Sequence, residues 1–278
     1  MRLLLGCDPE VFVMKKRAKK YYHSAHGLNE GTKEKPVRVE KGAVQVDGMA
    51  LEFNIDPART EDEWFTNIST VMKQMEASIP KGLVIKAVPV AHFTRKHLKE
   101  QPEEAKELGC SPDFNAWRNG AVNPRPNADV DFRTGAGHVH FGWGKDLDVN
   151  DERHIEACCI LSKTLDCTLG VGCALFDDGV KRRELYGAPG AFRPKPYGCE
   201  YRVASNAWLR DEATIRWVFK ICSQVFRKLH TGEIHMHYVE GQDFDRLLMK
   251  GTLSPAERKK IKDYLKYGFG LPLPPNVG

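Results

Sequence analysis

The sequence predicts an α+β fold, and three observations carry the prediction. Short segments at 2–13, 43–55, 138–143 and 199–203 set residues on alternate faces, with the period of two that a β-strand imposes. Three longer stretches, opening near Thr60, Asp151 and Asp211, repeat apolar residues three and four apart, as a helix with one buried face requires. No internal repeat is evident, and 278 residues suffice for one large core or two intimate ones. The division read from the sequence is a main unit over 1–230 and a smaller, charged, helical extension over 231–278 packed on it.

In chain order, 2–13 reads as a strand interrupted by Pro9, with Asp8 and Glu10 on one face. Residues 15–42, rich in Lys and Gly, read as a long hairpin or excursion. Two strands follow about an Asp47-Gly48 turn, the second carrying Glu52 and Asn54 on one face. Thr60 and Glu63 form a capping box for a helix whose Trp64, Ile68, Val71 and Met75 face the core, ended by Pro80. Residues 82–93 are β-rich and predict a buried strand, and a short charged helix is expected near 102–108. A turn-rich loop then holds Asp113, Asn115, Arg118, Asn123 and Arg125; loops of this length usually carry function or lack order, and its aromatic residues favour order.

Gly135 and Gly137 lead into His138-Val139-His140, whose imidazoles share a face if the segment is a strand. A packed helix covers 151–169. Residues 170–201 are so dense in Gly, Pro, Arg and Tyr that no regular amphipathic element is expected before the strand in which Glu200 and Arg202 share a face. Asp211 caps a strongly amphipathic helix, and Ser254-Pro255 starts another before a proline-rich tail.

Composition narrows the function. A formal charge of +5 suits an anionic ligand and is too small to argue for nucleic acid. The run Lys15, Lys16, Arg17, Lys19 and Lys20 reads as an exposed hairpin end. None of the 8 cysteines is spaced CxxC, and several lie in apolar patterns, so buried free thiols in a reducing cytoplasm explain them better than zinc or disulfides. The N-terminal apolar run meets Asp8 and Glu10 too early for a signal peptide. No apolar stretch is expected to approach the roughly 20 residues that span a bilayer. The expectation is a soluble protein of the cytoplasm with no membrane partner.

The chemistry lies in a constellation. Asp8 with Glu10, Glu52, His138 with His140, and Glu200 with Arg202 come from four short segments. Carboxylates gathered in a partly buried cleft must take up protons or bind cations. Several carboxylates with one imidazole suit hard divalent ions such as Mg²⁺ or Mn²⁺. Arg182, Arg183, Arg193, Arg202 and Lys195 then supply positive charge for a multiply charged oxyanion. Together these suggest metal-assisted phosphoryl chemistry. The sequence lacks a GxxxxGK[ST] loop and a complete GxGxxG, so a nucleotide site would belong to another type of fold.

The ordered set GCDPE, DGMALEFN, TGAGHVHFG and YGAPGAFRPKPYGCEYRVAS resembles the phage and bacterial carboxylate–amine ligases of type 2, the amidoligases, whose fold is similar to those of glutamine synthetase and glutamate–cysteine ligase. The resemblance spans about 1–230, and makes that unit the catalytic domain. It implies a curved antiparallel sheet, with helices packed on its outer face, around ATP and two or three divalent ions. By position it implies that Glu10 and Glu52 hold the ion nearer the acyl substrate, and that Asp8, His138 and Glu200 hold the ion bridging the ATP phosphates. His140 and Arg202 would contact the transferring phosphoryl group, and Arg193 and Lys195 the phosphate tail, with Arg183 and Arg202 among the cofactor-binding cations. Asp8 stands where glutamine synthetase has Glu, and Glu52 is one firm carboxylate where that enzyme has two; Asp47 is the obvious substitute.

The activity implied is ATP-dependent amide formation through an acyl-phosphate, joining a small-molecule or peptide carboxylate to an amine, in the host cytoplasm if the chain is phage-encoded, with oligomeric state open. Asp113 and Asn115 are candidates for substrate recognition or for turn capping. Two other readings stay open. A metal-dependent hydrolase or nuclease explains the ligands but not the Arg/Lys-rich 181–195 segment or the order of the motifs. A non-catalytic virion or binding protein would retain the sheet without needing Glu10, Glu52 and Glu200. His235 and His237 read as a surface strand, Cys7 and Cys199 as packing beside the site, and Trp117 and Trp143 as core residues or stacking platforms for a base.

Overall fold

The computed structural model describes residues 3–106, 113–124, 130–177, 179–234 and 244–277. The fold is α+β, with antiparallel strand pairing throughout the described residues. One sheet runs in the order β1 (Leu4–Cys7), β11 (Val139–Gly142), β13 (Gly198–Tyr201), β12 (Ala191–Lys195), β8 (Phe114–Asn115) and β9 (Ala121–Val122). A second runs β3 (Val37–Val39), β4 (Gly42–Asp47), β5 (Ala50–Ile55), β2 (Glu10–Lys15) and β6 (Leu83–Lys86). A short pair, β7 (Val90–His92) with β10 (Phe132–Thr134), stands beside them.

The sheets meet at Asp8-Pro9. Proline ends β1's ladder, and the chain steps from the first sheet into β2 of the second, held by Glu10 N–H donating to Ala136 O at 2.9 Å and Phe53 N–H to Pro9 O at 3.2 Å. The expected single strand over 2–13 is therefore two strands in two sheets, and Asp8 and Glu10 do not share one strand face. Likewise 82–93 is not one buried strand: Pro89 separates β6 from β7, which lie in different sheets, and β6 is only partly buried.

The longer helices pack on the sheets, one against β4 and β5 and another against β12 and β13. α1 (Glu61–Ser78) starts at the Thr60/Glu63 capping box, and short helices α2 (Arg95–Lys99) and α3 (Glu103–Lys106) follow β7. α4 (Glu152–Leu165) is capped by Asp151. It continues through a π-turn at Asp166–Gly170 into α5 (Val171–Ala174). That continuous helix, Glu152–Ala174, is 23 residues long and apolar enough by composition to cross a membrane, contrary to the expectation that no stretch comes near that length; most of it is buried in the fold. α7 (Glu212–His230) is capped by Asp211 and packs on α1 and α4. Fully buried Trp64 of α1 stacks on Trp208 and donates Nε1–H to Ile215 O at 3.0 Å.

Residues 170–201 contain more regular structure than the composition suggests: α6 (Val180–Arg183) and the β12–β13 hairpin. Pro194 is tolerated in β12 because β8 pairs only with Ala191 and Phe192, so that flank is open beyond them. The helix at Pro255–Asp263 opens on Ser254 as expected, and Leu253, Ile261, Leu265 and Leu271 join the same core as α4 and α7. Seven cysteines are buried free thiols; Cys110 lies outside the described residues, as do His235, His237 and Arg125.

Candidate functional site

One row of residues crosses the first sheet. Gly6, His140, Glu200 and Arg193 are register partners on β1, β11, β13 and β12. Side chains alternate along strands, so His138, Arg202 and Lys195, two residues away, stand on the same face. Asp8, just past β1, reaches this row: its Oδ1 lies 3.0 Å from His140 Nε2 and 3.2 Å from His138 Nδ1. Glu200, with no exposed surface, takes Lys195 Nζ at 2.8 Å, Arg193 Nη1 at 3.5 Å, His138 Nδ1 at 3.4 Å and a close hydrogen bond from Arg202 Nη1. Tyr197, in the β12–β13 turn, meets His140 Nδ1 through its hydroxyl at 2.5 Å and stacks on the ring.

The second sheet supplies a second group. Glu10 and Glu52 are register partners on β2 and β5, and Asp47 ends β4 beside them. Lys33 Nζ lies 2.8 Å from Asp47 Oδ2, and Ala136 N–H donates to Glu10 Oε2 at 2.9 Å. Asp8, His140 and Glu200 in one group, and Glu10, Asp47 and Glu52 in the other, each bring ligand atoms within 4.8 Å of one another.

Electrostatics divides the groups. Burial works against ionised Asp8, but His140 and His138 outweigh it and hold the carboxyl well below its usual range. Glu200 is likewise held low against its burial, chiefly by Arg202. Burial and Arg202 push His138 down to about 4, whereas His140, despite its burial, is raised by Asp8. The second group is strained the other way: burial and Asp47 raise Glu10 to about 7, and burial with the charges of Asp8, Asp47 and Glu10 lifts Glu52 well above a normal carboxyl.

The donor set fits divalent cations. Asp8 Oδ1, His140 Nε2 and Glu200 Oε2 are buried without a hydrogen bond of proper geometry. In the second group the raised Glu10 and Glu52 would ionise more readily beside a bound cation. Oxygen-rich sets with one imidazole suit Mg²⁺ or Mn²⁺. Cavities flank the acids. A cleft of about 640 Å³ is lined by Asp8, Glu52, His140, Trp143 and Tyr197. A smaller pocket of about 60 Å³ is lined by Glu10, Asp47, His138, Arg133, Arg182 and Arg202.

The structure brings together Asp8, Glu10, Glu52, His138, His140, Arg193, Lys195, Glu200 and Arg202 from the sequence-derived set. Asp113 joins them through its Oδ2, 3.3 Å from Arg202 Nε. Asn115 sits farther along the same loop, donating to Asn123 Oδ1 and Pro189 O, while Asn123 donates to Asp113 Oδ1. Arg183, expected among the cofactor-binding cations, is buried against Asp177 at 3.4 Å and lines neither cavity. The cation on that helix that does reach the acid cluster is Arg182. Arg133, Lys33 and Tyr197 escaped sequence reasoning; Arg133 directly precedes the TGAGHVHFG motif and Tyr197 lies within the YGAPGAFRPKPYGCEYRVAS motif, but nothing in the pattern fixed their direction. Trp143 lines the larger cleft, and Trp117 is tied by Nε1–H to Asp166 Oδ2 at 2.6 Å.

A family model described as phage phiEco32-like COOH.NH2 ligase-type 2 matches residues 103–266, more than half of the chain. No curated protein matches the sequence. The match takes in Asp113, Asn115, His138, His140, Arg193, Lys195, Glu200 and Arg202, while Asp8, Glu10, Asp47 and Glu52 precede it. The chain belongs to the phage phiEco32-like COOH.NH2 ligase-type 2 family, a family of carboxylate–amine ligases.

Proposed function

We propose that this ligase uses ATP, with Mg²⁺ or Mn²⁺, to activate a carboxylate as an acyl-phosphate and pass it to an amine. The observation that carries the reading is the meeting of two acid groups between two cavities, beside the cations of β12 and β13. Asp8, His140 and Glu200, with His138 adjacent, would hold one ion, and Glu10, Asp47 and Glu52 another. Bound divalent ions supply charge neutralisation for a nucleotide's phosphates.

The cleft of about 640 Å³ has the size of a nucleotide site, with Trp143 and Tyr197 on its wall. Arg193 and Lys195, both part-buried, present positive charge to the phosphates, and Arg202 and His140 face the group being transferred. The substrate carboxylate oxygen attacks the γ-phosphorus as the bond to the ADP oxygen breaks. The amine nitrogen then attacks the acyl carbon, orthophosphate leaves with the C–O electron pair, and the amine loses a proton. No protein nucleophile is needed; alignment and charge placement suffice for a loose transition state. Asp113 and Asn115 are assigned to recognition of the incoming amine.

The same reading treats 231–278 as an extension of a single catalytic domain working in the cytoplasm, where its buried thiols stay reduced. Trapping with hydroxylamine tests the chemistry. ADP release coupled to hydroxamate formation, dependent on both the carboxylate and Mg²⁺, is expected. Phosphate release that ignores the carboxylate, or no ADP with any carboxylate, would overturn it.

A further inference from the structure

Two buried arginines line the small pocket without a direct ion pair among the described residues. Arg133 is 7% exposed and Arg182 1% exposed, and both line the pocket together with Glu10, Asp47 and Arg202. Their head groups donate to neutral carbonyls. Arg133 reaches Val130 O, Phe132 O and Lys106 O, and Arg182 reaches Val203 O and Arg202 O. Among the described residues neither forms an ion pair with a carboxylate, and the Nε–H of each is buried without an acceptor. Burial opposes the charge of both. Carbonyl dipoles satisfy hydrogen bonds, and for Arg182 the charges of Asp177 and Glu10 offset part of the burial, but neither guanidinium has a carboxylate in contact, and a buried charge without a contacting counter-ion is costly.

The surroundings hold these groups in place. Gly187, at φ +70°, lies so close over Arg182 that a Cβ would collide with the guanidinium, and Tyr186 N–H donates to Arg182 O at 2.8 Å. Glu10 and Asp47 on the pocket wall belong to the proposed ion site, and Arg133, Arg182, Thr134 and Tyr186 are among the polar residues that line the same pocket. A volume of about 60 Å³ is large enough for a carboxylate head.

We propose that Arg133 and Arg182 receive a second anionic group of the acyl substrate, so that the substrate class is a dicarboxylate or a comparable dianion. The inference rests on the ligase reading for which carboxylate reacts: the reacting one lies toward Glu10 and Asp47, the spectator one toward the arginines. Two-point contact with planar guanidinium groups favours carboxylate geometry.

Calorimetry on the full chain with saturating MnCl₂ at constant ionic strength tests it, using glutarate, butyrate and orthophosphate as probes. Glutarate is expected to bind at least about tenfold more tightly than butyrate. Arg182→Gln removes that advantage. Because that variant loses buried hydrogen bonds and can fail to fold, Thr134→Asp provides the second arm. It sets a carboxylate in the pocket wall, and is expected to bring glutarate down to the level of butyrate while Mn²⁺ affinity stays within about twofold. Equal binding of glutarate and butyrate, glutarate binding untouched by Thr134→Asp, or orthophosphate displacing glutarate at equal affinity would overturn the assignment. The hydroxylamine assay separates the two readings. Equal hydroxamate yields from butyrate and glutarate refute the dianion pocket and leave the ligase standing. Tight glutarate binding without ADP release from any carboxylate refutes the ligase and leaves the pocket.

Discussion

Glu10 and Glu52 stand opposite each other as register partners across β2 and β5, with Asp47 close to both. Directly opposed like charges destabilise a strand pair, and here burial adds to the repulsion. Replacing Glu52 with Gln is expected to leave the metal-free protein at least as stable as the parent, by up to about 1 kcal/mol, while abolishing Mg²⁺-dependent ADP release. Chemical denaturation in EDTA and an ADP assay measure the two halves; undiminished turnover would remove Glu52 from the site.

Glu200 gives the contrasting result. It is fully buried and receives charge from Arg202, which is itself only 3% exposed. Glu200→Gln leaves that guanidinium short of its closest counter-charge, and a loss of about 3 kcal/mol is expected. A urea series with and without Mn²⁺ reads it, and stability equal to the parent would contradict the pairing.

The pH dependence follows from the raised acids. Glu10, lifted to about 7, and Glu52, lifted further, hold protons in the folded state that the unfolded chain has released. Between the ordinary carboxyl pKa near 4.5 and the folded values, the native state binds more protons, so stability falls as pH rises through that window. In EDTA the thermal midpoint is expected to be higher at pH 5.5 than at pH 7.5. Divalent ions prefer the deprotonated acids, so a fixed Mn²⁺ concentration that is a hundredfold over its Kd at pH 5.5 adds about 2.7 kcal/mol there and more at pH 7.5, where the Kd is lower. A midpoint shift on adding Mn²⁺ that shrinks as pH rises would contradict this.

Tyr197 holds His140 from behind. Its hydroxyl contact to Nδ1 orients the ring, so Nε2 points at Asp8. Tyr197→Phe is expected to weaken Mn²⁺ binding by about tenfold, the usual cost of losing an outer partner of a ligating histidine. Folding stability changes little, because Tyr197 is 39% exposed. Titration followed by electron paramagnetic resonance gives the affinity.

Asp166 serves the framework. Within the π-turn it accepts from Trp117 Nε1 and Gly190 N at 2.6 Å and from Tyr201 Oη at 2.8 Å, tying the loop after β8 to the residue before β12 and to the end of β13. Asp166→Asn turns one acceptor into a donor and is expected to cost about 2 kcal/mol, read by denaturant midpoint.

Much of this was legible in the sequence, for identifiable reasons. Capping residues Thr60, Asp151 and Asp211 announce their helices locally, and they stand where the side-chain chemistry puts them. The period-2 pairs His138/His140 and Glu200/Arg202 needed only a strand to share a face, and β11 and β13 supply it. Asp8 and Glu10 defeated the same rule, because a period of two assumes one continuous strand and Pro9 ends it. Arg182 and Arg183 could not be told apart by pattern, because neighbours on a short helix point in different directions: both are buried, Arg183 against Asp177 and Arg182 on the pocket wall. Arg133 and Tyr197 carry no periodic signature; each is placed by contacts with residues 27 and 57 positions away.

The step at Asp8-Pro9-Glu10 sets a distance. Its two acids serve different groups in different sheets, so the separation between those groups is governed by one rigid dipeptide link and hardly at all by how distant helices settle. A core substitution that lets the sheets slide would be resisted at this join. A single residue inserted there would throw the two halves out of step while leaving each half locally intact.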